Sequence, residues 1–223
     1  MSNKSKSDPK LVDRIQRSTS SLVGSPLFWS LLILGIMSLS LFRAVGVTLP
    51  EPMPVLGKLP TFQLLDQHNR SFGTEDLKGK VWVANFIFTR CATICPAFSE
   101  KMGEIQHRTR GLGSNFHLVS FSVDPDYDTP ERLKEYAKRF RASPATWRFL
   151  TGSMDTVKST IVDGLKISMG NDGPEGTFEG IFHGSHFVVV DQNGQIRTYI
   201  DSNDEDAVDR TVTAAGLVAN RGG

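Results

Sequence analysis

Val81-Trp-Val-Ala-Asn-Phe-Ile-Phe-Thr-Arg-Cys91-Ala-Thr-Ile-Cys95-Pro96 decides how this chain is to be read. Residues 80–89 are nearly all apolar and rich in β-branched and aromatic side chains, as in a strand buried on both faces. The run ends in a Cys-x-x-x-Cys turn. A helix is expected from Pro96, with proline at its first position, to about Arg110. That placement presents both thiols at one solvent-facing edge where strand passes to helix. Cys91 and Cys95 are the only cysteines in the chain. Closing so short a loop removes little chain entropy, so a purely structural disulfide gains little. The pair is read as chemical: a redox-active disulfide, an electron-exchange site or a metal site.

Outward from this stretch, strands and helices alternate. Residues 62–66 and 70–72 flank a turn at Gln67-His68-Asn69 and form a hairpin. Phe116 to Val123 is a strand that runs into Asp124-Pro-Asp-Tyr-Asp128-Thr-Pro130, where Thr129 caps a helix begun by Pro130. Trp147 to Thr151 is a short strand, and Ser153 caps a helix to about Val162. Phe187 to Val190, a Gln192-Asn-Gly194 turn and Gln195 to Ile200 make a closing hairpin. Asn203 caps a last helix to about Ala214. This order predicts an α/β fold with a central sheet flanked by helices. A cysteine turn between the first long strand and first long helix fits a thioredoxin-like plan, in which the helix N-terminus lowers the pKa of the nearer thiol.

The chain has 223 residues, room for one ordinary domain and an appendage. Its net charge of +1 gives no basic field for nucleic acid. The appendage comes first. Residues 1–26 form a basic leader. Residues 27–47 hold an uncharged run, Leu27 to Phe42, then Arg43, which can snorkel to an interface. We read this as a single-pass transmembrane anchor rather than a cleaved signal peptide, with the basic side cytoplasmic. Residues 48–59 are a proline-rich tether, and the folded domain spans 60–223. Cys91 and Cys95 then lie in an oxidising compartment outside the membrane.

Three residues separate the cysteines, wider than the two of thioredoxin-type motifs, so both sulfurs can turn toward one ion. Two thiolates favour copper(I), or zinc in a tetrahedral site. A third donor is needed. His68 reads as a solvated turn residue, and His107 and His117 as structural. His183 and His186 precede the Phe187 strand, in a loop that a thioredoxin-like fold sets beside the cysteine turn. Met53, Met102, Met154 and Met169 are scattered and read as core or tether residues. Asp126 and Asp128 read as turn and helix-start residues, while Asp124 is open between that role and a part in the site.

Phe88-Thr-Arg-Cys91-Ala-Thr-Ile-Cys95-Pro96 resembles the Phe-Thr-x-Cys-x-x-x-Cys-Pro motif of the Sco/SenC family. Ser122-Val-Asp-Pro-Asp-Tyr-Asp-Thr-Pro130 resembles that family's Ser-Val-Asp-Pro-x-x-Asp-Thr-Pro. Phe149-Leu-Thr-Gly152 and the His183-to-Gly194 segment match in order. The resemblance implies a membrane-tethered, thioredoxin-like copper chaperone that serves the CuA site of cytochrome c oxidase. Its site would lie on the periplasmic side of a bacterial inner membrane. It implies copper, as Cu(I) or Cu(II), on Cys91, Cys95 and His183, since the family histidine precedes the strand aromatic by four positions. His186 would be a neighbour. The implied partners are the apo-oxidase CuA subunit and periplasmic thiol or copper carriers. The alternative is a thiol–disulfide oxidoreductase or redox sensor acting on periplasmic dithiols. Ala92 departs from the proline common after the first motif cysteine, which loosens the turn without removing a ligand. Residues 164–179 read as a glycine-rich loop over the site.

Overall fold

The computed structural model describes residues 24–45, 51–171, 181–183 and 185–221; the side chains of 44–45, 170–171, 181–183 and 221 lie outside that description. Residues 1–23 of the basic leader, residues 172–179 of the glycine-rich loop and the side chain of His183 therefore fall outside the described residues. Two units are resolved, residues Met1–Glu51 and Pro52–Gly223.

In the first unit, helix α1 spans Pro26–Val45. Its window Pro26–Arg43 has a mean hydropathy of 1.6 and none of it is buried, so it is long and apolar enough to cross a membrane. At 1.5 Å per residue such a helix is about 30 Å long, the thickness of a bilayer's hydrocarbon core. Ser30 and Ser40 donate back to the carbonyls of Pro26 and Ile36, so neither hydroxyl is left without a partner on this apolar rod.

The second unit is built on an eight-stranded sheet of order β1-β10-β9-β4-β5-β6-β2-β3. The strands are β1 (Gly57–Lys58), β2 (Gln63–Asp66), β3 (Ser71–Gly73), β4 (Val81–Ile87), β5 (Phe116–Ser122), β6 (Trp147–Thr151), β9 (His186–Val190) and β10 (Gln195–Asp201). β4, β5 and β6 run parallel; the other neighbours are antiparallel. A separate ribbon pairs β7 (Met169–Asn171) with β8 (Ile181–His183). The helices are α2 (Thr74–Leu77), α3 (Ile94–Thr109), α4 (Pro130–Arg139), α5 (Met154–Lys158) and α6 (Ala207–Arg221). Strands β5-β4-β9-β10, with α3 leading from β4 to β5 and α6 following β10, form the expected thioredoxin-like plan.

Every residue of β4 is buried, because both faces of the sheet are covered. Val81, Val83 and Ile87 face a core closed by Met102 and Ile105 of α3, Leu133 of α4 and Ala215 of α6. Trp82, Ala84 and Phe86 face the opposite core, with Phe62, Phe121, Ile161 and both cysteines. Both thiols thus belong to the core on the Trp82, Ala84 and Phe86 face of β4.

Several expectations shift. The folded domain starts before Pro60: β1 pairs Gly57 with Ile196, Leu59 is buried, and Arg197 donates to the Met53 carbonyl. The last third of the expected tether, Leu56 to Leu59, is therefore sheet edge. α3 starts at Ile94, so Pro96 is its third residue; proline is harmless there because the first four amides have no intrahelical partner. The Ser153-capped helix becomes a π-helical turn over Ser159–Gly164. The last helix starts at Ala207 and runs to Arg221. Asn203 does not cap it; its amide and side chain both donate to Asp201 in a turn.

His117 is a core histidine, as expected. It is 5% exposed and its Nδ1 has no hydrogen-bond partner. Burial, with Lys80 and Arg148 nearby, pushes its pKa down to about 4. The unfolded chain, near the ordinary 6.5, then binds the proton more readily than the native one. The neutral ring's contribution is complete above pH 6.5 and is lost as pH falls toward 4, of order 2–3 kcal/mol. His117→Leu should flatten the loss of unfolding free energy between these pH values in urea titrations. An unchanged pH slope would contradict this.

Candidate functional site

The site forms where β4 ends. Phe88 to Thr93 turn the chain, and α3 begins at Ile94 with no side-chain cap from Thr93. The Cys91 amide donates to the Phe88 carbonyl (3.1 Å), which closes the turn. The Cys95 amide then donates to Cys91 Sγ at 3.4 Å. An amide of the helix's first turn is thus satisfied by a cysteine sulfur in the manner of a capping oxygen.

Neither cysteine is in a disulfide and both are buried, which corrects the expected solvent-facing edge. Cys91 is 9% exposed and Cys95 is 0% exposed. The cause is the apolar floor: Phe88, Val123 and Ile161 belong to the same core as the two sulfurs. The expected effect of the helix terminus also falls on the other thiol. Burial pushes Cys91 up, but the Cys95 and Thr93 hydrogen bonds outweigh it and the net shift is downward. Cys95, inside the helix, is driven far above the ordinary thiol value, first by burial and then by Cys91 and Asp128. One thiol is prepared to ionise and its neighbour is held protonated.

The turn is anchored from β5. The Asp128 carboxylate accepts from the Thr89 amide (3.1 Å) and hydroxyl and from the Ser122 hydroxyl (2.6 Å). Burial raises the Asp128 pKa, and the Ser122 and Thr89 bonds oppose that rise. Asp124 holds Arg90 at 2.6 Å, and its amide donates to Ser122 Oγ. The Arg90 and Arg132 guanidiniums both lie over the Tyr127 ring, at 4.5 and 3.8 Å. Asp128, read from sequence as a helix-start residue, therefore positions the cysteine turn. The repeated aspartates of Ser122-Val-Asp-Pro-Asp-Tyr-Asp were the available signal. Asp126 is exposed, and no bond of it is described.

The histidines separate clearly. His68 and His107 are exposed, and His117 is in the core. His183 closes β8, where its backbone pairs with Met169, and Met169 packs against the core that holds both cysteines. His186 opens β9 opposite Asp201, half-buried, its Nδ1 without a partner. The loop expected before β9 is thus largely strand. Among the described residues, no three His, Cys, Asp or Glu side chains gather as a metal-binding group. Cys91 and Cys95 supply two soft donors from one turn, which suits a soft ion or a disulfide.

A family model described as SCO1/SenC matches residues 56–215. A SCO1 protein homolog of Bacillus subtilis is 33% identical over 163 residues, 73% of this chain and 82% of that protein. Among solved structures, BsSco is described as having a disulfide switch and as a member of the Sco family of cytochrome c oxidase assembly proteins. It is 28% identical, with a TM-score of 0.68 over 77% of this chain and 99% of that one. Yeast Sco1 with copper bound is 27% identical, with a TM-score of 0.59 over 73% of this chain and 90% of that one.

Two measurements check this geometry. Timed alkylation with mass mapping should label Cys91 first, with a pH midpoint below the ordinary thiol value of 9.0, while Cys95 resists. Equal rates would refute the asymmetry. Asp128→Ala should cost about 1–3 kcal/mol of stability by stripping partners from Thr89 and Ser122, and should admit the reagent to Cys95.

Proposed function

This chain belongs to the SCO1/SenC family, and on that premise we propose that it binds copper through Cys91, Cys95 and His183 in the assembly of cytochrome c oxidase. The observation that carries the reading is the cysteine turn. Cys91 Sγ accepts the Cys95 amide, which favours its thiolate, and Cys95 follows one helical turn later on the same core. Two thiolates form a soft donor pair suited to copper(I), and an imidazole extends the set to copper(II). The β7–β8 register supports His183 as that imidazole, because Met169 opposite it packs on the core of the two cysteines. Copper here is cargo. The protein's task is to hold it in reach of a recipient, read as the CuA-bearing oxidase subunit.

Helix α1 would act as a single-pass anchor in the bacterial inner membrane, with the Pro52–Gly223 unit on the periplasmic side. Its length and exposed apolar surface support that role. Residues 1–26 would be the cytoplasmic leader.

The unequal thiols favour a second role, reduction of a partner's disulfide. The Cys91 thiolate would attack one partner sulfur, forming a mixed disulfide and expelling the other as a thiolate. Cys95, losing its proton, would then displace the first sulfur. The chain ends with a Cys91–Cys95 disulfide, and the partner gains two electrons. The disulfide consumes both soft donors, so the two roles exclude each other at any instant.

Copper(II) titration of the reduced Pro52–Gly223 unit should give a one-to-one thiolate charge-transfer band. His183→Ala should abolish the band, His186→Ala should keep most of it, and the disulfide form should bind weaker by orders of magnitude. A greater loss in His186→Ala would assign the imidazole to His186. Slowed thiol exchange with unaltered copper binding in both variants would leave the reductase role alone.

A further inference from the structure

One cavity lies well away from the thiols. It has a volume of about 600 Å³ and lies at the other end of α3, between that helix, the turn Arg110–Asn115 that follows it, the start of β5 and the segment after α4. Phe116, Leu118 and Phe140 give it an apolar floor, Arg110, Arg141 and His107 line it with basic groups, and no lining residue is acidic. The volume lies within the usual range for small-molecule pockets, and so does the pairing of apolar walls with a few convergent polar groups.

Two residues bordering this cavity break local rules in opposite directions. Arg141 has φ of 51°, in the left-handed region. It ends α4: its amide donates to Lys138 and the Ala142 amide to Ala137, the helix-terminating pattern in which glycine is usual. An arginine there gives up the conformational ease of glycine and gains only a guanidinium. Gly103 lies inside α3, where glycine is a poorer helix former than alanine. A Cβ there would meet only the Phe140 carbonyl, at an ordinary 3.7 Å, so packing does not demand glycine. What a side chain at 103 would occupy is the cavity. Local violations without a structural reason mark functional positions.

Arg110 is held by His107, and the backbone of Arg141 by Gln106. Arg110 donates to His107 Nε2 at 3.0 Å, since arginine can only donate. The Arg141 carbonyl accepts from Gln106, which ties the α4 terminus to α3. Neither Arg110 nor Arg141 has a carboxylate partner among the described ion pairs.

We propose that this cavity binds a small organic carboxylate. Arg110 and Arg141 hold the carboxylate, and its apolar body rests on Phe116, Leu118 and Phe140. The guanidinium fork matches a carboxylate, and the floor selects for a hydrocarbon or aromatic body. The site is separate from the thiols and needs no metal.

The test is equilibrium dialysis of 2-naphthoate against the full chain in lipid nanodiscs, with empty nanodiscs to subtract partition into lipid. Saturable one-to-one binding is expected, with 2-naphthalenemethanol and inorganic phosphate each at least tenfold weaker. Arg141→Gly should weaken 2-naphthoate at least tenfold while raising Tm, since it relieves the positive φ. Gly103→Leu should block binding and leave the fold intact by circular dichroism. Absence of saturable 2-naphthoate binding would overturn the proposal. So would an equally tight alcohol, which would leave only an apolar cleft, or an equally tight phosphate, which would leave only a basic patch. Undiminished affinity in both folded variants would place the ligand elsewhere.

Discussion

The buried carboxylate of Asp128 holds the cysteine turn to the sheet. It accepts the amide and hydroxyl of Thr89, two residues before Cys91, and the hydroxyl of Ser122 at the end of β5. β4 and β5 are already joined in parallel register through Ile87 and Ser122. The clamp extends that register past the end of the hydrogen-bonded strands, where the backbone alone would be free to open. Cys91 is thereby delivered to the start of α3, and its sulfur receives the Cys95 amide. Removing a buried carboxylate from water is unfavourable, and three donors offset that loss only while the turn stays closed. The turn and the carboxylate therefore require each other.

From this constraint follows the inequality of the two sulfurs. They share one core, yet their surroundings drive them apart. The helix-terminal amide acts on Cys91, outside the helix, while Cys95 within it is dominated by burial. A symmetric pair would suit a static clamp. An asymmetric pair suits a site that must both hold an ion and exchange electrons, because one sulfur can initiate while the other waits. The same α3 carries Cys95 at its start and Gly103 in its interior, so the thiol turn and the basic cavity are mounted on one rigid element.

Much of this was legible in the residues. The nearly all-apolar run of β4, the Thr129-Pro130 helix start and the closing hairpin at Gln192-Asn-Gly194 all formed as read, because each is fixed by local chemistry. What escaped was decided by long-range contacts. Pairing with β10 turns Gly57–Lys58 from tether into strand, and no local pattern announces it. The burial of the thiols depends on Ile161 and Val123, distant in sequence. Asp128 looked like turn chemistry because its partners, Thr89 and Ser122, lie on two other elements. The cavity was illegible for a similar reason: Gly103 and Arg141 are ordinary in sequence and become anomalous only through a helix interior and a positive φ.

The central claim is that Cys91, Cys95 and His183 hold copper together. X-ray absorption at the copper K edge of the full chain, loaded with one equivalent of copper(I) after reduction, reads the coordinating atoms directly. The account predicts two sulfur scatterers and the multiple-scattering pattern of one imidazole, with that pattern lost in His183→Ala. A shell of nitrogen and oxygen alone, or an imidazole pattern that survives in His183→Ala, would contradict it.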